Sequence, residues 1–223
     1  MRKFFNGFSL VSRAIILIGF VVALTTACVV GAAYWALSTE FNAKARQDID
    51  AVLRTLTLVY ADTFKDTKVE MKPGDKVGRV VASEFPTLSN HNIVDKAAAM
   101  AGGNATLFQY DEASKQFIRR STNLKKENGE RAVGTQLAPD HPGQAIVRKG
   151  ETYFGPAVLF SRKYYTAYHP FFDPSGKTLG ILYVGMPIEI YDTMTVDAIT
   201  SMAMAAAGGV LVVLALSFFL LRR

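Results

Sequence analysis

The residues best placed to do chemistry lie in two short runs, FIRRST (117–122) and KYYTAYH (163–169). Both have the composition of strands, in which alternate residues share a face. On the second run, Tyr164, Thr166 and Tyr168 then turn three hydroxyls to one side. On the first, Phe117, Arg119 and Ser121 share a face, and Ile118, Arg120 and Thr122 take the other. An apolar wall with a few convergent polar groups is the usual form of a small-ligand pocket. A guanidinium on such a wall suits a carboxylate, because its planar fork bonds both oxygens. The same residues also fit a plainer arrangement, with the tyrosines as core and Arg119 on a solvated strand face.

The rest of the chain offers no reactive set. Nucleophilic catalysis needs a nucleophile and a base within hydrogen-bond reach, and the sole cysteine, Cys28, stands inside an apolar run. His91, His141 and His169 are not at metal-ligand spacing. His141 and His169 each precede a proline, where an extended or turn residue is expected. Gly102-Gly103 is a turn pair and cradles no phosphate. The expectation is a non-enzyme with no catalytic residue, metal or cofactor.

These residues must be held by a domain set between two apolar runs. Residues 14–37 and 198–221 are each 24 residues long without a charge. A helix crosses a bilayer in about 20 apolar residues, so both read as transmembrane helices. A cleaved signal has an apolar core of about 7–15 residues, so the first run reads as an uncleaved anchor. Arg2, Lys3 and Arg13 precede the first run, and Arg222 and Arg223 follow the second. Short basic flanks stay in the cytoplasm. The expected order is a cytoplasmic N-terminus (1–13), span 14–37, a periplasmic domain (38–197), span 198–221 and a cytoplasmic end (222–223). The net charge of +6 is largely these five terminal cations, so it marks membrane topology and not a nucleic-acid partner. Gly19, Ala23, Ala27 and Gly31 recur every four residues, as do Ser201, Ala205 and Gly209. Such ladders let helices approach closely in lipid and point to spans packed with a second copy.

Within 38–197, Ile49, Val52, Leu53, Leu56, Val59, Tyr60 and Phe64 form one helical stripe. The spacing predicts a long helix over 40–66, continuous with the first span and broken at Lys72-Pro73-Gly74-Asp75. A short helix over 93–101 ends at Gly102-Gly103, and Asp140-His141-Pro142 opens another that Gly150 closes. Strands are expected at 104–110, 116–122, 152–160, 163–172 and 177–187, with Asp173-Pro174-Ser175-Gly176 as a turn. Short turns join antiparallel neighbours. The fold class is therefore α+β, with a long leading helix and a five-stranded antiparallel sheet.

The run 117–135 (FIRRSTNLKKENGERAVGT), the Asp140-His141-Pro142 triplet, residues 155–185 and the two spans together resemble bacterial chemoreceptors with a single Cache domain. The most similar group is the Cache type-three/type-two fusion. The resemblance implies a PAS-like periplasmic domain in the bacterial inner membrane, with both termini cytoplasmic. It implies that a homodimer binds a small organic acid or amino acid and passes a helix displacement through the membrane. Carried onto this sequence, the ligand-binding positions are Arg119, Ser121, Phe154, Tyr164, Thr166 and Tyr168. Such receptors continue past the second span into a HAMP linker and a methyl-accepting coiled coil. Here Arg223 is the last residue, so the expectation is either a truncated receptor or a stand-alone sensor with a separate signalling partner. The sensor part of a histidine kinase or cyclic-dinucleotide enzyme, or a non-sensing membrane scaffold, are the alternatives.

Overall fold

A computed structural model of the chain describes residues 10–189, 200–212, 215 and 219. They fall into two compact units, one within Met1–Asn42 and Tyr191–Arg223, the other within Ala43–Ile190. In the first unit lie the apolar part of α1 (Leu10–Thr63) and the helix α4 (Thr200–Val212). Among the described residues one helix, Leu17–Thr63, is long and apolar enough to cross a bilayer. Residues 198–199, 213–214, 216–218 and 220–221 of the second expected span, and Arg2, Lys3, Arg222 and Arg223, lie outside the described residues, while Arg13 falls within α1. A Cβ built at Gly19, Gly31 or Gly209 would meet no atom within 4 Å. The space beside these three glycines is therefore open among the described residues.

The second unit is α+β. After α1 come β1 (Lys68–Lys72), β2 (Lys76–Val81), α2 (Asn92–Ala101), β3 (Asn104–Asp111) and β4 (Gln116–Thr122). Then follow α3 (Gly143–Arg148), β5 (Tyr153–Leu159), β6 (Arg162–Phe172) and β7 (Thr178–Pro187). The sheet has seven strands in the order β1-β2-β6-β7-β3-β4, with β5 also on β6. This corrects the expected five antiparallel strands in two ways. The segment around Pro73 is a hairpin, β1–β2, where the sequence suggested only a helix break. And β2 joins β6 in parallel, through Val81 and Phe172, which makes the sheet mixed. β6 thus shares one edge between β5 and β2, while β7 covers the other.

Two cores separate along the pleat. Ile49, Leu53, Leu56 and Tyr60 of α1 pack with Val94 and Ala97 of α2 on Leu107, Ala167, Phe171, Leu182 and Val184. This is the first face of the sheet, and the α1 stripe read from the sequence lies in it. The second face carries Phe108, Phe117, Tyr164, Tyr168, Ile181 and Tyr183, under Leu124, Leu137 and Val147 of the segment that includes α3. On β7, Ile181 and Tyr183 go to one core and Leu182 and Val184 to the other, the period of two that a strand requires.

His169 sits on the first face, only 5% exposed, with Nδ1 2.7 Å from Thr152 Oγ1. Burial, with Lys72 adding to it, pushes its pKa from 6.5 down to about 4. The unfolded chain then binds this proton more readily than the folded one. The stability that neutral His169 contributes is whole above pH 6.5 and is lost as the pH falls toward about 4. Over that window His169→Gln is expected to lose less stability than wild type, measured by thermal unfolding at matched ionic strength. Parallel losses in the two proteins would show that other groups carry the acid sensitivity.

Candidate ligand-binding site

Arg119 is 2% exposed, and it points to the second face because its ladder partner is Phe108. The Arg119 guanidinium carbon lies 4.7 Å from the Phe108 ring centroid and 5.6 Å from that of Phe160. Its Nη1 donates to Thr135 Oγ1. The backbone of residues 134–136 runs along the free edge of β4, with Arg119 N donating to Thr135 O at 2.9 Å. No carboxylate pairs with Arg119 among the described residues. Burial draws its pKa below the ordinary value, opposed by Tyr183 and Tyr168. An arginine stays charged in spite of this, so the second face holds a buried cation without a counter-ion.

Tyr168 lies beside it, with its ring 4.8 Å from Tyr183 and 4.6 Å from His141. Burial holds both tyrosyl hydroxyls far above their usual pKa, so both are neutral donors. His141 Nδ1 accepts from the Gly143 N–H at 3.0 Å, which puts the ring proton on Nε2. Burial lowers the imidazole's pKa, with Asp140 opposing it. Gln144, on α3, spends its amide N–H on Leu137 O at 3.2 Å.

The buried polar atoms left over show what this face can bind. Ten buried side-chain nitrogens and oxygens lack a hydrogen-bond partner among the described residues. Five belong to this one face: Arg119 Nε, His141 Nε2, Tyr168 Oη, Tyr183 Oη and Gln144 Oε1. Buried polar groups are normally satisfied, so such a cluster asks for a ligand. Four of the five can donate and one only accepts, so the complement is rich in acceptors. A carboxylate has that character. The glycines of the floor make space for the tyrosine hydroxyls. Thr166 pairs with Gly155 on one side and Gly185 on the other, a row of small residues across three strands. A Cβ at Gly185 would lie 2.2 Å from Tyr183 Oη, and one at Gly155 2.5 Å from Tyr153 Oη.

Of the positions carried over from the sequence, Arg119, Tyr164, Thr166 and Tyr168 share this face, and Thr166 Oγ1 donates to Gly155 O at 2.8 Å. Ser121 and Phe154 do not. Between Leu107↔Ser121 and Phe108↔Arg119 the register steps by one, leaving Arg120 as a bulge. The bulge puts Ser121 opposite Leu107 of the first face, where Ser121 Oγ is 2.9 Å from His91 Nδ1. Phe154 packs in the first core with the Arg46 guanidinium 3.2 Å from its ring centroid, and its neighbour Tyr153 takes the site side. Arg120 bonds Gln109 Oε1 at 2.8 Å. Arg131 grips Asp95 through two bonds of 2.8 and 2.9 Å.

The sequence reading missed Tyr183, His141, Gln144 and Phe108. Tyr183 was within reach, since strict alternation in ILYVG (181–185) sets it against Leu182 and Val184. His141 and Gln144 come from a segment folded back over the sheet, which no local pattern announces. A groove of about 430 Å³ on the first face has mixed lining charges, Arg46, Lys72, Lys76 and Arg79 against Asp50, Glu70 and Glu151. It lacks a lone buried cation of the Arg119 kind.

The periplasmic domain of RsbU from Chlamydia trachomatis is similar at 14% identity, over 77% of this chain and 56% of that one, with a TM-score of 0.44. The ligand-binding domain of the Campylobacter jejuni chemoreceptor Tlp3, solved with L-norvaline, is similar at 10% identity over 86% and 65%, with a TM-score of 0.39. The chain thus spans about three fifths of the length of these solved chains. No curated protein matches it. The Cache 3/Cache 2 fusion domain matches residues 30–216, most of the sequence, and the chain belongs to that family.

Proposed function

We propose that residues 38–197 are an extracytoplasmic sensor of a small carboxylate, carried between two membrane spans and signalling as a homodimer. One observation carries the reading. Arg119 is a buried cation with no carboxylate partner among the described residues, and the unspent polar atoms around it are mostly donors. Family membership supports sensing as the role. The reading assigns the chain no reaction and no cofactor. The ligand class narrows further: an α-amino acid brings an ammonium group, and the five unspent atoms offer it only Gln144 Oε1 as a dedicated acceptor. A simple carboxylate fits better than its amino analogue. Occupancy signals only if the ligand binds two arrangements of the dimer unequally. The ladders Gly19, Ala23, Ala27, Gly31 and Ser201, Ala205, Gly209 are the proposed contact faces of the spans.

The test is thermal unfolding of the full chain in detergent micelles with acetate, propionate and lactate, against alanine and propylamine. A ligand at about 100 times its Kd adds about 2.7 kcal/mol, a rise of about 5–10 °C for a domain of this size. The carboxylates are expected to produce it, alanine less, and propylamine none. Equal shifts with alanine and propionate would remove the narrowing to simple acids. No shift with any carboxylate would sink the sensor reading for this class and favour the scaffold alternative.

A further inference from the structure

The tip of the β5–β6 hairpin holds two residues in a backbone region that side chains avoid. Leu159 pairs with Arg162, so the turn is Phe160 at φ 49° and Ser161 at φ 66°. Turns of this geometry favour Asn-Gly, and a bulky residue at positive φ is an outlier. Elsewhere positive φ falls on glycine, as at Gly74, Gly129 and Gly176, or on the unbranched polar residues Asp75 and Lys115, and Phe160 is the one aromatic residue to adopt it among the described residues. A turn selected for folding alone would not need a bulky aromatic ring at that position.

The strained turn makes two contacts, an exposed hydrogen bond and a ring packed on the core, and the ring is the one that holds it. Ser161 Oγ donates to Glu127 Oε1 at 2.6 Å. The Phe160 ring packs on the second core and lies 5.6 Å from the Arg119 guanidinium carbon. Backbone strain persists only where the surroundings over-determine it, and it gathers at binding sites. Arg119 is restrained three times over: by Phe108, by Phe160 and by Thr135 at Nη1. Its Nε is left without a partner. We infer that Phe160 is a ligand-positioning residue: the strained turn holds its ring on Arg119, so that the guanidinium presents its Nε edge to the ligand. The hairpin accepts a poor turn residue because the ring, rather than the turn, is what the site requires.

The inference rests on Arg119 as the carboxylate anchor, but one arm of its test needs no ligand. In the full chain in micelles with isotope-labelled arginine, the Arg119 Nε–H resonance reports the side chain's confinement, and its assignment comes from its loss in Arg119→Met. Phe160→Leu keeps apolar bulk without a ring face, so the resonance is expected to shift and broaden. Phe160→Tyr and Ser161→Gly keep the ring and should leave the resonance as it is. Ser161→Gly should also melt at or above the wild-type temperature, because glycine relieves positive φ. In the binding arm, propionate is expected to bind Phe160→Leu about tenfold more weakly and the two ring-retaining variants within about twofold of wild type. An unmoved Arg119 signal in Phe160→Leu, or equal loss in Ser161→Gly, overturns the positioning role. Failure of the wild type to take up any of the three carboxylates overturns the proposed function instead, and the two failures are told apart by the ligand-free arm.

Discussion

Replacing Arg119 with methionine is expected to abolish carboxylate binding and, without ligand, to leave the protein more stable than wild type. The two effects have one cause. Arg119 is 2% exposed and has no carboxylate partner among the described residues. Taking a charge out of water costs several kcal/mol even after relaxation. Against that stand two ring contacts and one hydrogen bond to Thr135, worth about 1–3 kcal/mol together. The balance leaves the cation a net cost in the empty domain, and methionine fills similar volume without it. A gain of about 1 kcal/mol raises the melting temperature by about 2–4 °C. With ligand the sign reverses, because a charge-assisted fork onto a carboxylate is worth about 2–5 kcal/mol on truncation. Affinity should fall at least about thirtyfold. Arg119→Lys keeps the charge but loses the fork, so it should bind weakly while gaining no stability. Calorimetric titration and thermal unfolding of the same three samples decide the matter. If Arg119→Met melts well below wild type, the guanidinium is structural. If it binds propionate as before, the anchor lies elsewhere.

How far the site could be read from sequence follows from how local each determinant is. β3 to β7 and the α1 stripe were legible because their apolar residues keep a period of two or of about 3.6 over several turns. β1 and β2 were not. KVEMK (68–72) and KVGRVV (76–81) carry five charges, and most of β1 is exposed, as suits an edge hairpin kept from pairing further. The parallel contact of Val81 with Phe172 joins segments some 90 residues apart and leaves no trace in either. At the site, alternation gave Tyr164, Thr166 and Tyr168 their common face correctly. It failed three strands away, at Ser121 on β4, because the bulge at Arg120 lies in a run without glycine or proline. That bulge is set by the register with β3, and a single extra residue there inverts every facing argument beyond it. His141 and Gln144 depend on a return of the chain over the sheet, and such long-range contacts have no local signal.

That dependence on close strand register leads to the largest expected loss of stability. Gly180→Ala should lower the melting temperature by about 10 °C, although glycine-to-alanine changes usually help. Gly180 is not among the positive-φ residues, so alanine meets no backbone strain there, and the lower entropy of its unfolded chain alone would stabilise by about 0.4–1 kcal/mol. Space decides the opposite sign. A Cβ at Gly180 would fall 2.0 Å from the Phe108 carbonyl oxygen and 2.9 Å from Phe171 Cε1. Neither can step aside cheaply. The Phe108 carbonyl belongs to the β3–β7 ladder, and the Phe171 ring is wedged against Tyr60 and Phe85 at 5.4 and 6.0 Å. Overpacking of a tight core costs about 1–3 kcal/mol and sometimes more, and here it must shift main chain. β3 would have to move away from β7, taking Phe108, and with it the ring against which Arg119 lies, out of place. Gly180→Ala should therefore weaken propionate binding as well as the fold, from a point on the opposite face of the sheet. A melting temperature equal to or above wild type would mean that the three strands are not packed as closely as described. Loss of stability with affinity intact would mean that Phe108 does not transmit the shift to Arg119.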